Sequence, residues 1–122
     1  MSELKYSKDH EWVREEGDGT ATIGVTDFAA GQLGDVVYVE LPEVGDTVEA
    51  NTEMGEIEST KSVSELFSPV TGEVLEINDE VVETPEKVNE DPFGAAWLIK
   101  VKIEELPDDL LTAAEYADLT AK

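Results

Sequence analysis

Met54-Gly55-Glu56-Ile57-Glu58-Ser59-Thr60-Lys61-Ser62-Val63-Ser64-Glu65-Leu66-Phe67 alternates apolar and polar residues on both sides of a small hydroxylated centre. Period-two alternation is the pattern of a half-buried strand, so the stretch reads as a hairpin over about 54–67 with Lys61 at its tip. Lys61 is also the single basic residue between Arg14 and Lys87, where carboxylates recur every few positions. A turn lysine ordinarily serves solubility, but this chain solubilises itself with carboxylates. An exposed primary amine between small residues suits acylation by another enzyme, which removes its charge and makes it a neutral tether. Use as a Schiff-base nucleophile requires a desolvated amine, which a tip between Glu58 and Glu65 does not offer.

Outward from that hairpin, short β-like segments follow one another closely. Glu11-Trp12-Val13-Arg14 and Thr20-Ala21-Thr22-Ile23-Gly24-Val25 flank the glycine-containing turn Glu16-Gly17-Asp18-Gly19. Residues 26–33 read as a short helix, with Thr26 as N-cap and Gly34 as its stop. Val36-Val37-Tyr38-Val39-Glu40-Leu41 is a strand ended by Pro42, and further strands are expected at 47–49, 73–77 and 97–103. Asn78-Asp79 reads as a turn and 89–94 as a loop. A helical C-terminus is expected over about 107–121, with Leu110 and Leu111 closing a first turn and Thr112-Ala113-Ala114-Glu115 in capping-box spacing. The echo between Pro42–Val48 and Pro69–Val74, on either side of Lys61, suggests two similar half-sheets joined through the lysine hairpin. The expected fold is therefore all-β: a sandwich or flattened barrel of two small antiparallel sheets, in a single domain spanning 1–122.

The chain of 122 residues carries 30 Asp and Glu against 8 Lys and Arg, a formal net charge of −22, with no cysteine and one histidine. Hydrophobic content of 40% is enough for a packed core, so the charge does not imply disorder. The acids run through strands, turns and the C-terminal segment alike. That spread points to a high-salt cytosol, where self-repulsion is screened, more than to one basic ligand. Nucleic acid is disfavoured because no Lys/Arg cluster exists. Absence of cysteine excludes disulfides, thiolate metal sites and cysteine nucleophiles. No apolar leader or membrane-length run is present, so a soluble, cytoplasmic protein is expected, and a net charge of −22, which opposes self-association, makes a monomer the expectation.

Other candidates for chemistry are weak. His10 beside Glu11 has the composition of an acid–base pair but no partner motif, and reads as structural. The acidic pairs form no calcium-loop pattern, and no phosphate-binding or nucleophile-elbow motif occurs. Trp12 and Trp97 read as core aromatics.

Several stretches together resemble one family. They are Lys8-Asp9-His10-Glu11-Trp12-Val13, Ile23 to Ala29, Gln32 to Pro42, Glu58-Ser59-Thr60-Lys61-Ser62-Val63-Ser64, Ser68 to Val74, Val88 to Gly94 and Trp97 to Lys100. In that order they resemble, essentially end to end, the lipoyl-carrying H-protein family of the glycine cleavage system. The resemblance implies a barrel-sandwich hybrid (hammerhead) fold with lipoate in amide linkage to Lys61. It implies a non-catalytic carrier whose lipoyl group accepts an aminomethyl group from a PLP-dependent glycine decarboxylase as CO₂ leaves. A tetrahydrofolate-dependent aminomethyltransferase then takes the one-carbon unit and releases ammonia. An FAD-containing dihydrolipoamide dehydrogenase reoxidises the dithiol, and a lipoate-attaching enzyme is the fourth partner. By position, Glu11 and Glu65, with Asp9 nearby, would face the ammonium of a docked arm.

The chain departs from the common Glu-Ser-Val-Lys-Ala pattern of the family, having Thr60 and Ser62 around the lysine. Both are small, so access for the attaching enzyme survives. They also argue against biotin carriers, which place Met on both sides of the lysine. Lipoyl domains of 2-oxoacid dehydrogenases usually have Asp-Lys-Ala at this point and lack the flanking sequences. Two alternatives stay open on sequence: a relay supplying lipoate to other lipoyl domains, and an unmodified acidic interaction protein.

Overall fold

A computed structural model describes residues 4–7, 10–16, 18–91, 94–105 and 110–120. Along the chain lie β1 (Leu4–Tyr6), β2 (Glu11–Glu15), β3 (Thr20–Val25), α1 (Asp27–Leu33), β4 (Val36–Glu40), β5 (Thr47–Val48), β6 (Glu53–Ser59) and β7 (Val63–Phe67). They continue with β8 (Thr71–Ile77), α2 (Asp79–Glu83), α3 (Lys87–Glu90), β9 (Ile99–Glu105) and α4 (Ala113–Thr120). All strand pairings are antiparallel. They form a six-stranded sheet, β1-β2-β3-β9-β8-β5, and a three-stranded sheet, β4-β6-β7. The two sheets do not close into one barrel. The fold is the mostly-β, two-sheet architecture expected from the strand spacing.

The core draws on inward-facing residues of both sheets. Val13, Ile23, Val74, Ile99 and Val101 come from the larger sheet, and Val39, Ile57 and Leu66 from the smaller. Val81, Val88 and Leu98 from α2, α3 and the approach to β9 close it. Each buried aliphatic side chain contributes roughly 1.5–3 kcal/mol by leaving water. Trp12 is fully buried beneath the β2–β3 pair, and its indole occupies the space over Gly24, its register partner. Trp97 is only half-buried, its ring instead meeting the Lys100 ammonium at 5.7 Å, so it is not the second core aromatic expected.

Several local expectations are met for the physical reason given. Thr26 accepts from the Ala29 amide as N-cap, and Gly34 ends α1 at φ +84°. The Thr112 and Glu115 side chains each bond the other's backbone amide, a complete capping box. In the β2–β3 hairpin, the hydrogen bond from Thr22 and the Arg14 guanidinium hold the Glu16 carboxyl below its usual range.

Other expectations are corrected. Asn78-Asp79 is not a plain turn: the Asn78 side chain caps the Glu80 amide and starts α2. Part of the expected 89–94 loop is helical, since α3 runs to Glu90; residues 92–93 lie outside the described segments. Leu111 does not close a helical turn but bridges antiparallel to Tyr6, while 106–109 and 121 lie outside the described residues. The two echoing segments are not separate half-sheets. They are neighbours in the larger sheet, with Thr47 opposite Glu73 and Val48 opposite Gly72, and the lysine hairpin belongs wholly to the smaller sheet.

A β-carbon on Gly24 would stand 2.5 Å from Trp12 Cζ2, within a ring that has nowhere to move. Gly24→Ala should therefore cost about 1–3 kcal/mol, read as a lower denaturant midpoint at unchanged slope.

Candidate functional site

Thr60, Lys61 and Ser62 form the exposed tip of the β6–β7 hairpin. Ser59 shapes the tip: its hydroxyl accepts from the amides of Lys61 (3.2 Å) and Ser62 (3.1 Å), and its own amide donates to Ser62 O at 2.8 Å. A hydroxyl that satisfies two turn amides replaces the glycine such a turn often needs. The Thr60 amide then donates to Asp35 O at 3.0 Å, which fastens the tip to the α1–β4 connection.

That connection is held from a third direction. Asn89 Nδ2 donates to Gly34 O at 2.6 Å, and the Val36 amide donates to Asn89 Oδ1 at 2.8 Å. The stem of Lys61 lies against Gly34, where a β-carbon would stand 3.4 Å from Lys61 Cε. Lys61 thus has an immobilised backbone and an exposed amine, the combination an attachment point needs.

A cleft of about 320 Å³ opens beside the tip. Phe28, Ala29, Gln32 and Leu33 of α1 form one wall, and Ser62 of the tip with Ser64, Glu65 and Leu66 of the edge strand β7 form the other. His10, Glu11, Val25 and Ile57 complete the lining. Glu11 is 2% exposed, and each of its side-chain oxygens faces a donor, as a buried polar group requires. Ser7 Oγ donates to Oε1 at 2.8 Å, and the Phe67 amide approaches Oε2 at 3.4 Å. Glu65 is exposed on β7, so the cleft has one buried and one solvated carboxylate.

Of the residues singled out from sequence, Lys61, Glu11 and Glu65 come together around the tip and cleft. Asp9 lies outside the described residues. Glu65 does not flank Lys61 directly: it sits opposite Glu56, whereas Glu58 is opposite Val63 next to the tip. His10 is structural, as read, but it also lines the cleft. It takes a left-handed backbone at φ +68° and bonds Tyr116 Oη at 2.8 Å through Nδ1. Tyr116 Oη also meets Thr26 Oγ1 at 2.6 Å, and its ring stacks on Tyr6 at 4.6 Å. The C-terminal helix therefore braces both His10 and the N-cap of the helix that walls the cleft.

Sequence reasoning missed Phe28, Gln32 and Ser64 as lining residues. The first two were detectable in part: Phe28 and Gln32 are spaced i, i+4, which puts them on one helix face. No local signal says which strand that face meets. Among the described residues, no cluster of three or more His, Asp or Glu has metal-site geometry.

The residues present suit a long acyl arm on Lys61. The amine is exposed, its neighbours are small, and a cleft with apolar walls and carboxylates begins at the tip. Comparison with known proteins gives the family. The pattern of the family described as "Glycine cleavage H-protein" matches residues 4–122. The chain is 58% identical over 118 residues to the glycine cleavage system H protein of Streptomyces avermitilis, covering 97% of this chain and 94% of that one. It is 55% identical over 119 residues to the H protein of Staphylococcus carnosus, covering 96% and 94%. The crystal structure of a glycine cleavage system H protein from Mycobacterium marinum superposes with a TM-score of 0.93 at 41% identity, covering 100% of this chain and 99% of that one.

Gly34 combines φ +84° with ψ −152°, a region essentially reserved for glycine. Gly34→Ala should cost about 1–3 kcal/mol in chemical denaturation. It should also displace the Lys61 stem, visible as a changed amide environment at residues 60–62 in NMR spectra.

Proposed function

We propose that this chain, which belongs to the glycine cleavage H-protein family, carries lipoate in amide linkage on Lys61. Its role in the glycine cleavage system is that of a carrier subunit, not a catalyst. The observation that carries the Lys61 assignment is its placement: the one basic residue from 15 to 86, exposed on a tip held by Ser59 and Asp35, beside the cleft. Bound lipoate supplies a dithiolane that accepts and releases an aminomethyl group and is then reoxidised, redox chemistry that a chain with no cysteine lacks.

The chain's own residues contribute position, shelter and charge. The anchored tip fixes the root of the arm, and a tether raises the local concentration of its end at any site it spans. Phe28, Ala29, Leu33 and Leu66 offer an apolar surface that excludes water from an arm lying in the cleft. Glu11 and Glu65 would attract a positively charged amine there, and the Glu11 carboxylate, buried and held by Ser7, presents a fixed acceptor. Asp9 completes this acidic set in the reading. The partners that follow are a PLP-dependent glycine decarboxylase, a tetrahydrofolate-dependent aminomethyltransferase, an FAD-containing dihydrolipoamide dehydrogenase and a lipoate-attaching enzyme. No nucleic-acid or membrane partner enters this reading.

The setting inferred is cytoplasmic, monomeric and of high ionic strength. Support for it is arithmetic: 8 basic side chains cannot neutralise 30 carboxylates, and a net charge of −22 opposes self-association. Like-charge repulsion is felt locally, since Glu65, with Glu56 and Glu40, raises the pKa of Glu53.

Lys61→Arg keeps the charge and removes the acylatable amine. Its stability should stay within about 0.5 kcal/mol of the parent. Intact mass from the native source should lack the lipoyl increment, and NADH formation in a reconstituted glycine cleavage assay should be abolished. Retained activity would overturn the assignment. Separately, lowering salt from molar to millimolar should reduce the melting temperature, with the largest change once the Debye length exceeds about 10 Å, below roughly 0.1 M; a flat response removes the high-salt reading.

A further inference from the structure

The outer face of the three-stranded sheet carries two rows of side chains running across it. In the row next to the tip, Tyr38 is opposite Glu58, and Glu58 is opposite Val63. In the next row, Glu40, Glu56 and Glu65 stand side by side. A β-bulge between Val36 and Tyr38 breaks the alternation of β4, so that Val37 is exposed as well as Tyr38. Val37, Tyr38 and Val63 are 54%, 44% and 60% exposed, and they are three of only seven exposed large hydrophobics among the described residues. The other four are scattered over the β4–β5 turn, β8, α2 and α4.

In a chain that covers itself with carboxylates, three exposed apolar side chains on the sheet that carries the Lys61 tip, with Val63 two residues from the lysine and Tyr38 in the same row across Glu58, call for an occupant. We propose that this face is the docking surface for the lipoate-attaching enzyme, which would bring apolar contact residues rimmed by Lys or Arg. The proposal rests on Lys61 being the attachment point.

The reasoning for that occupant is one of reach. Attachment joins Nζ to an activated acyl carbon: the C–N bond forms, the bond from that carbon to its phosphate leaving group breaks, and the leaving group departs with the electron pair. The amine's surplus proton goes to solvent. An enzyme doing this must bring its own surface to the root of the lysine, and so against Tyr38, Glu58 and Val63. The glycine cleavage enzymes meet the far end of a long arm and have no such obligation.

Charge complementarity points the same way. The carboxylate row is uncompensated: repulsion from Glu65, then burial and the charges of Glu56 and Glu40, push the Glu53 carboxyl at its margin upward. A basic rim relieves that repulsion. The cleft opens across the β7 edge from this face, and Glu65, which also lines the cleft, marks the edge the two share.

The test uses the full-length unmodified protein with a purified lipoate–protein ligase, lipoate and ATP, followed by intact mass. Tyr38→Thr with Val63→Thr should raise the KM for the protein at least tenfold, with kcat within twofold and the melting temperature unchanged. Val44→Thr with Val82→Thr, apolar losses elsewhere, should change neither constant. Should the double variant lose stability, Glu40→Lys provides the second measurement: a several-fold higher KM at low salt that disappears at high salt. An unchanged KM in the stable variants overturns the docking surface. So does normal attachment combined with a selective loss of reaction with glycine decarboxylase, which would give the face to that enzyme. If the parent protein itself is not modified on Lys61, the carrier assignment falls first, and the docking surface with it.

Discussion

The connection Gly34-Asp35-Val36 is the constraint on which the working part of this protein depends. It ends α1, begins β4, receives the hairpin tip through Thr60, and is clamped by Asn89 from α3. Each bond is an ordinary one, worth roughly 1 kcal/mol on its own. Their convergence on three residues matters more than their sum, because it removes the independent motion of helix, sheet and tip. A carrier needs this arrangement: a soft arm is useful only if its root is fixed relative to the surfaces that partners grip.

The cleft depends on a second set of ties made far apart in sequence. Tyr116 reaches back to His10 and Thr26, while Ser7 and the Phe67 amide orient Glu11. The N-terminal strand, the first helix, the edge strand β7 and the C-terminal helix therefore meet at one place. A carboxylate at 2% exposure is tolerable there because donors from several elements satisfy it. The same burial makes it a fixed acceptor, whereas Glu65 opposite is solvated and adaptable.

Charge is used here for opposite ends. Across the surface, carboxylates supply solvation and mutual repulsion. At Lys61, the lone cation of its region is the group that the proposed acylation would neutralise. Apolar exposure is sparse among the described residues, and three of its seven large side chains, Val37 and Tyr38 at one β-bulge and Val63, lie on the sheet that carries the Lys61 tip.

Much of this was legible in the sequence. Period-two alternation, Thr26 and Gly34 around a short helix, and the Thr112–Glu115 capping box are local signals, and the folded chain obeys them because local hydrogen bonding decides them. Lys61 stood out by the same kind of local contrast, one cation among acids. What the sequence misread were longer-range matters. The echo around Pro42 and Pro69 suggested two halves, yet register pairing makes those segments neighbours in one sheet. Asn78 and Asn89 looked like turn and loop residues, yet one caps a helix and the other clamps a connection 53 residues away. Nor does any local rule say that Phe28 and Gln32 face Ser64, or that Val37 and Tyr38 both point outward. The sequence by itself determined the strands, the caps and the amine. Only the tertiary structure decided the cleft, the clamp and the exposed face, because these arise where side chains distant in the chain compete for the same space and the same hydrogen bonds.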